Sequence, residues 1–250
     1  MTMTRTLWTL TGKDALSFLQ GLVSNDLRPL EASHGIVWAA LLTPQGKYLA
    51  DFFVVRRPEG DLLLDIATPL AADTLRRLTM YRLRADAQIA ASGLHLSRGL
   101  DTPPPGAMPD PRHTALGWRL YSDAPQAETA IDWDAIRVRH LIPESGIELV
   151  PDETYILEAG FERLHGVDFR KGCYVGQEVT ARMKHKTELR KGLTGVRIDG
   201  TAPVGTEITT QDGKPVGTLF TQSHGAAIAH LRLDRADGIL MAGAARLQVR

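Results

Sequence analysis

Apolar residues recur at Ala15, Phe18, Leu19 and Leu22, the three-and-four spacing of one helix face, with Thr11 or Gly12 placed to start that helix. A continuous apolar run from Ile36 to Leu42 meets Pro44-Gln45-Gly46, and Tyr48 to Val55 returns, so the pair predicts a β-hairpin. Leu62 to Ile66 predicts a strand, Ala71 to Tyr81 a helix and Ala87 to Ala90 a further strand. This β-β-α-β order predicts an α+β region on an antiparallel sheet. Five prolines between Asp101 and Pro111 predict a loop. Beyond it, Gly117 to Tyr121 reads as a strand and Trp133 to His140 as a helix that ends before Pro143, with few regular elements from 143 to 180. From Leu193 the pattern changes. Short β-branched stretches, such as Val196-Arg197-Ile198 and Thr206 to Thr210, alternate with glycine turns that include Asp212-Gly213, as in a small β-barrel or sandwich. The expected organisation is an α+β region over 1–190, divisible at the 101–111 loop, followed by a β-barrel domain over 191–250.

Charge adds exclusions. The chain has 29 Lys and Arg against 29 Asp and Glu, a formal net charge of zero, so no global field gathers nucleic acid or anionic membrane. No stretch approaches the ~20 apolar residues of a membrane span. Met1 to Trp8 lacks both the apolar core of a secretory signal and the long arginine-rich stretch of a transit peptide, from which a cytoplasmic protein is expected. A single cysteine excludes a disulfide and a four-cysteine metal site within one chain. The eight histidines contain no His-x-x-x-His pair, so no intrinsic zinc is expected.

That cysteine lies in Lys171-Gly172-Cys173-Tyr174-Val175-Gly176-Gln177-Glu178. Arg170 and Lys171 would favour the thiolate, the form that attacks electrophiles and binds metal. Gly172 and Gly176 permit bends closed to other residues, and Gln177 and Glu178 carry hydrogen-bonding ends. The competing reading is a small buried apolar residue in a turn. The basic run Arg182, Lys184, His185, Lys186, Arg190 and Lys191 reads as a solvated linker, with a docking strip for an acidic partner as the alternative.

The octapeptide resembles the signature of the YgfZ-type folate-binding proteins, a branch of the glycine-cleavage T-protein (aminomethyltransferase) superfamily. The likeness extends through Leu10-Thr11-Gly12-Lys13-Asp14-Ala15, Phe18-Leu19-Gln20-Gly21, Asn25-Asp26, Pro44-Gln45-Gly46-Lys47, Tyr81-Arg82-Leu83-Arg84, Leu157-Glu158-Ala159 and Arg182. It implies a folate-binding α+β region with a carboxy-terminal β-barrel. By the same resemblance, the ligand is tetrahydrofolate or a derivative. The role is support of iron-sulfur cluster assembly or repair in client enzymes, tRNA-modifying ones included, with iron-sulfur clients or cluster carriers as partners.

The resemblance assigns Cys173, Lys171 and Asp51 to the chemistry and Trp133, Asp51 and Arg84 to folate. Trp133 would stack on the pteridine and Arg82 or Arg84 would pair with the glutamyl tail. Trp133 as a core anchor and the arginines as exposed strand charges are the alternatives. The transferase segment Leu-Arg-Leu-Glu-Ala-Gly aligns with Ile136 to Leu141, where its folate-binding carboxylate becomes Arg139, and its Asp-Asp pair becomes Ala50-Asp51. A guanidinium cannot accept the pterin's N-H groups, so aminomethyl transfer is not expected and an accessory factor is. The enzymatic alternative is a folate-dependent one-carbon transferase or demethylase using Asp51 or Glu178.

Overall fold

The computed structural model describes residues 4–126, 130–186 and 189–250; Met1 to Met3 of the opening segment lie outside them, and so does the side chain of Lys186. The chain begins with β1 (Arg5–Thr11), α1 (Ala15–Gln20), the single turn α2 (Pro29–Ala32), β2 (Gly35–Leu42), β3 (Tyr48–Arg56), β4 (Leu62–Ala67), α3 (Thr68–Arg82) and β5 (Gln88–Ala91). These strands form a sheet of order β2-β3-β4-β1-β5, with every neighbour antiparallel. The hairpin and α3 form where the apolar pattern predicts them. Strand β1 was not predicted. Its apolar positions Leu7, Trp8 and Leu10 do not alternate cleanly, and pairing with β4 and β5 on both sides supplies what the local pattern lacks.

Both faces of this sheet are buried, which explains why β3 and β4 read as continuous apolar runs. Phe52, Val54, Leu62, Leu64 and Ile66 face a core shared with α1 and α3. Phe53, Val55, Leu63 and Trp38 face a second core. That second core is closed by β6 (His95–Gly99), β7 (Met108–Pro109) and β8 (Trp118–Ser122), which pair in the order β6-β8-β7, and by the segment carrying Ile142, Leu149, Ile156, Phe161 and Leu164. Trp38 stacks on Phe161 with ring centroids 4.1 Å apart. An aromatic pair of this kind adds about 1 kcal/mol beyond the burial of its surface.

Helix α4 (Trp133–His140) starts where Asp132 caps the N-H of Ala135 at 2.9 Å. The residues read as a solvated linker instead form α5 (Gln177–Lys186) and the start of β9 (Lys191–Asp199). The reason is a buried stripe that the basic residues conceal: Thr180 is buried and Met183 packs against the second core.

From β9 the chain builds a closed barrel with β10 (Glu207–Thr210), β11 (Pro215–Ser223), β12 (Ala226–Arg232), β13 (Leu240–Ala242) and β14 (Ala245–Val249), in the order β10-β11-β12-β9-β14-β13. Val196, Leu219, Ala229 and Leu247 fill it. Phe220, Ala226 and Ile228 pack outward against Val138 of α4. At this seam the buried Arg137 donates to Glu148 at 2.9 Å and to Thr221 at 2.8 Å, satisfying charge and hydrogen bonds together.

Candidate functional site

The signature loop is tied down by its lysine. Lys171 Nζ donates to the main-chain carbonyls of Gln20 at 2.8 Å and Asn25 at 3.0 Å, and to that of Val23. Asp168 accepts from the main-chain N-H groups of Arg170 at 2.6 Å and Lys171 at 3.1 Å. Lys171 is 4% exposed, and burial pushes its ammonium down to about 8. All three ammonium protons are engaged by carbonyls. It is a clamp between the loop and the end of α1. Cys173 is exposed.

Two glycines fit the loop to the β2-β3 turn. At Gly176 (φ +84°) a Cβ would lie 2.6 Å from the carbonyl oxygen of Thr43, and at Gly46 (φ +76°) one would lie 2.9 Å from Cβ of Val179. Only a residue without a side chain permits this approach. Tyr174 then packs into the second core and Val175 against the first, leaving Cys173 as the loop's outward point. Gln177 and Glu178 open α5. The Glu178 carboxylate is 85% exposed and pairs with Arg182 at 3.0 Å, so it does not face a pocket as a proton-handling group would.

Asp51 lies on the face of the sheet that carries Phe53. It is buried and accepts from Trp38 Nε1 at 2.7 Å, Tyr48 Oη at 2.6 Å and Ser145 Oγ at 2.6 Å. Burial and the adjacent carboxylate push the Tyr48 phenol well up, so it remains a donor. With three donors in place, Asp51 is an internal tie between β3 and the 142–149 segment.

The same face carries a charged network. Asp65 accepts from Arg5 Nε at 2.6 Å and from Tyr121 Oη at 2.8 Å, and pairs with Arg119. Asp110 pairs with Arg112 at 2.9 Å and with Arg119 at 3.2 Å. Burial pushes Asp65 up, and Arg5 and Arg119 overcome it to hold the carboxyl well below the usual range. The Arg119 guanidinium also lies 3.8 Å from the centroid of Phe53. A carboxylate inside the apolar run Leu62 to Ala67 was the one sequence signal for this cluster, because a buried charge requires a partner.

Trp133 opens α4 and packs against the second core, and the Arg98 guanidinium lies over its ring at 4.3 Å. The structure separates it from Arg84. Arg84 is exposed, and its neighbour Ala85 packs against the core on the opposite face of the sheet. Arg82 closes α3 and donates to the carbonyl of Ala87, so this segment is a helix end and not the strand proposed for it. Arg139 is exposed on α4. Among the described residues, no three His, Cys, Asp or Glu side chains stand close enough to hold a metal, and no helix is long and apolar enough to cross a membrane.

This architecture is that of the glycine cleavage system aminomethyltransferase T of Bartonella henselae, with a TM-score of 0.76 over 98% of this chain and 82% of that one, at 14% identity. Residues 190–250 match the family described as "CAF17, C-terminal beta-barrel domain". The chain is 29% identical to the mouse protein "Iron-sulfur cluster assembly factor IBA57, mitochondrial", covering 94% of this chain and 78% of that one, and the human protein of that name gives the same figures. The homologue in Mycosarcoma maydis is 30% identical over 77% of this chain, which spans 56% of that protein's length. These relatives are mitochondrial proteins, which overturns the cytoplasmic expectation. The chain is thus a relative of the IBA57 iron-sulfur cluster assembly factors, built on the aminomethyltransferase T fold and ending in a CAF17-type barrel.

Proposed function

We propose that this protein is a folate-binding accessory factor of the YgfZ type that supports assembly or repair of iron-sulfur clusters in client enzymes, tRNA-modifying ones included. The observation that carries the reading is the presentation of Cys173. An exposed thiol stands on a loop clamped by a buried lysine and two tightly packed glycines. The relatives' role in cluster assembly supports it. Iron-sulfur clusters generally need several thiolates, so one cysteine is suited to transient contact with a client's or carrier's cluster, and a resident cluster is disfavoured.

The chain fits a folate in part. Trp133 offers an aromatic ring, one face of which the Arg98 guanidinium covers at 4.3 Å. The carboxylate that would grip the pterin edge is replaced by the exposed Arg139, and Asp51 already accepts from three donors inside the fold. Those two facts weigh against the one-carbon transferase alternative and favour binding without turnover. Two experiments test the reading. Deletion of the gene should lower the activity of several cluster-dependent enzymes, with rescue by the wild type and not by Cys173→Ser. Titration with tetrahydrofolate should quench tryptophan emission saturably, less so in Trp133→Phe. Release of ammonia from an aminomethylated lipoyl carrier at the rate of an authentic transferase would overturn the accessory role.

A further inference from the structure

Helix α3 ends in a backbone turn that its sequence does not suit. Leu83 has φ +47° and ψ −106°, and the N-H of Ala85 donates to the carbonyl of Arg82 at 2.8 Å, so residues 82–85 form a type II′ turn with Leu83 at the first central position. That position is ordinarily glycine, because a Cβ there crowds the main chain. A leucine in such a place is expected to offset its strain by packing into a core. Leu83 does not: it is 88% exposed. Met80 is 65% exposed and Tyr81 38%, so three large apolar side chains stand in water within four positions. Single exposed apolar residues are ordinary, whereas a group of them carried by a strained turn points to a contact surface.

We propose that the end of α3 is a docking surface for an acidic protein partner, with Leu83 and Met80 seated in an apolar hollow of that partner and its carboxylates on the flanking arginines. The charge pattern supports this partner. Residues 73–86 hold Arg76, Arg77, Arg82 and Arg84 against Asp73 and Asp86, an excess of two positive charges on a chain whose formal net charge is zero. Arg76 and Arg77 share Asp73, and Arg76 also reaches the Met80 sulfur at 3.9 Å. Arg84 is exposed beside Leu83. The buried residues of α3, Ala71, Thr74 and Leu78, are committed to the core, so the helix has no long apolar face to lay into a membrane. Position supports the same partner. Asp14, just before α1, accepts from the N-H of Asp86 at 2.9 Å, and the far end of α1 supplies the carbonyl of Gln20 to Lys171. The six residues of α1, about 9 Å of helix, thus separate the support of this patch from that of the Cys173 loop. An ordinary interface covers about 800 Å² on each partner, an extent that takes in both. The inference rests on the cluster-assembly reading and deepens it: the partner docked at Leu83 is the client or carrier whose cluster Cys173 contacts.

The test uses the full chain, in the deletion strain and as purified protein. Glycine suits the turn, so Leu83→Gly should melt at or above the wild-type temperature, relief of strain offsetting the added freedom of the unfolded chain. Its rescue of cluster-dependent enzyme activities should nevertheless fall about fivefold or more, the effect of losing one apolar anchor. Met80→Gln, which leaves the turn alone, should lower rescue in the same direction, and Arg84→Glu should lower it further than Arg84→Gln. Wild-type rescue by Leu83→Gly and Met80→Gln, with Cys173→Ser failing, would overturn the docking surface and leave the cluster role standing. A deletion strain with undiminished cluster enzymes would overturn both. Equal rescue by the two Arg84 variants would remove the acidic partner, and a melting temperature several degrees lower in Leu83→Gly would make Leu83 a structural residue. Sedimentation of the purified wild type as a dimer that Leu83→Gly separates would assign the patch to a second copy of the chain. Co-sedimentation with vesicles of phosphatidylcholine and phosphatidylglycerol, lost in Leu83→Gly, would assign it to a membrane; either result overturns the proposal.

Discussion

Replacing Lys171 by methionine tests whether the signature loop is held by charge. The stem keeps its bulk, and the three carbonyls of Gln20, Val23 and Asn25 lose their donor. Hydrogen bonds to a charged group are worth about 1.5–3 kcal/mol each, and this gain is set against the cost of burying the ammonium. The fall from an ordinary lysine value to about 8 puts that cost at about 3 kcal/mol. The net loss expected at pH 7 is about 3 kcal/mol. The pH dependence has a definite sign. Below pH 8 the lysine is protonated in both states and the burial cost is fully present. Between pH 8 and the ordinary value, the native state has released the proton while the unfolded chain still binds it, so the wild type gains stability as pH rises. By pH 9.5 that gain reaches about 2 kcal/mol, and the methionine variant has none of it. Urea unfolding of both proteins at pH 7 and pH 9.5, followed by tryptophan emission, should therefore show the gap widen from about 3 to about 5 kcal/mol. A gap that is constant or narrower at pH 9.5 would mean that the carbonyls outweigh burial. A gap under about 1 kcal/mol at pH 7 would remove Lys171 as the clamp altogether.

Cys173 should alkylate with iodoacetamide in the native protein at a rate comparable to that in urea, and Cys173→Ser should melt with the wild type; labelling only after denaturation would contradict its exposed position. Gly176→Ala should cost about 2 kcal/mol or more, from a left-handed backbone angle and a Cβ set 2.6 Å from the Thr43 carbonyl, and an unchanged urea midpoint would refute the close fit. Asp110→Asn should destabilise by about 3–5 kcal/mol near pH 6, because Arg112 and Arg119 lose a buried counter-charge. Burial opposes ionisation of Asp110, and those arginines outweigh it to hold the carboxyl at about 2, so its contribution is complete above pH 4 and is lost as pH falls through 2. The gap between wild type and Asp110→Asn should accordingly close by about 2 kcal/mol between pH 4 and pH 2, measured by urea unfolding at each pH.

What was legible in the sequence was local. Helices α3 and α4, the β2-β3 hairpin and the barrel's strands and glycine turns follow from the spacing of apolar residues and from backbone freedom within a few positions. The α+β class was legible in the same way, while the aminomethyltransferase-type fold was implied by the resemblance carried by the Lys171–Glu178 octapeptide and the motifs around it. Strand β1 and helix α5 were not, because a polar or basic surface masked a packing stripe that only a partner sheet or core makes visible. Side-chain roles depended on distance in space. Lys171 finds its acceptors 146 to 151 residues away, Asp51 is tied to Ser145 across 94, and Asp65 meets Arg5 and Arg119 across 60 and 54. A charge written in sequence states what partner it requires; tertiary structure alone decided that Lys171 donates to three carbonyls and Asp51 accepts from three donors, that Arg84 and Trp133 lie on different sides of a sheet, and that Arg98 has no carboxylate partner among the described residues. The physical reason is that burial multiplies the strength of every electrostatic contact, and burial belongs to the packed whole.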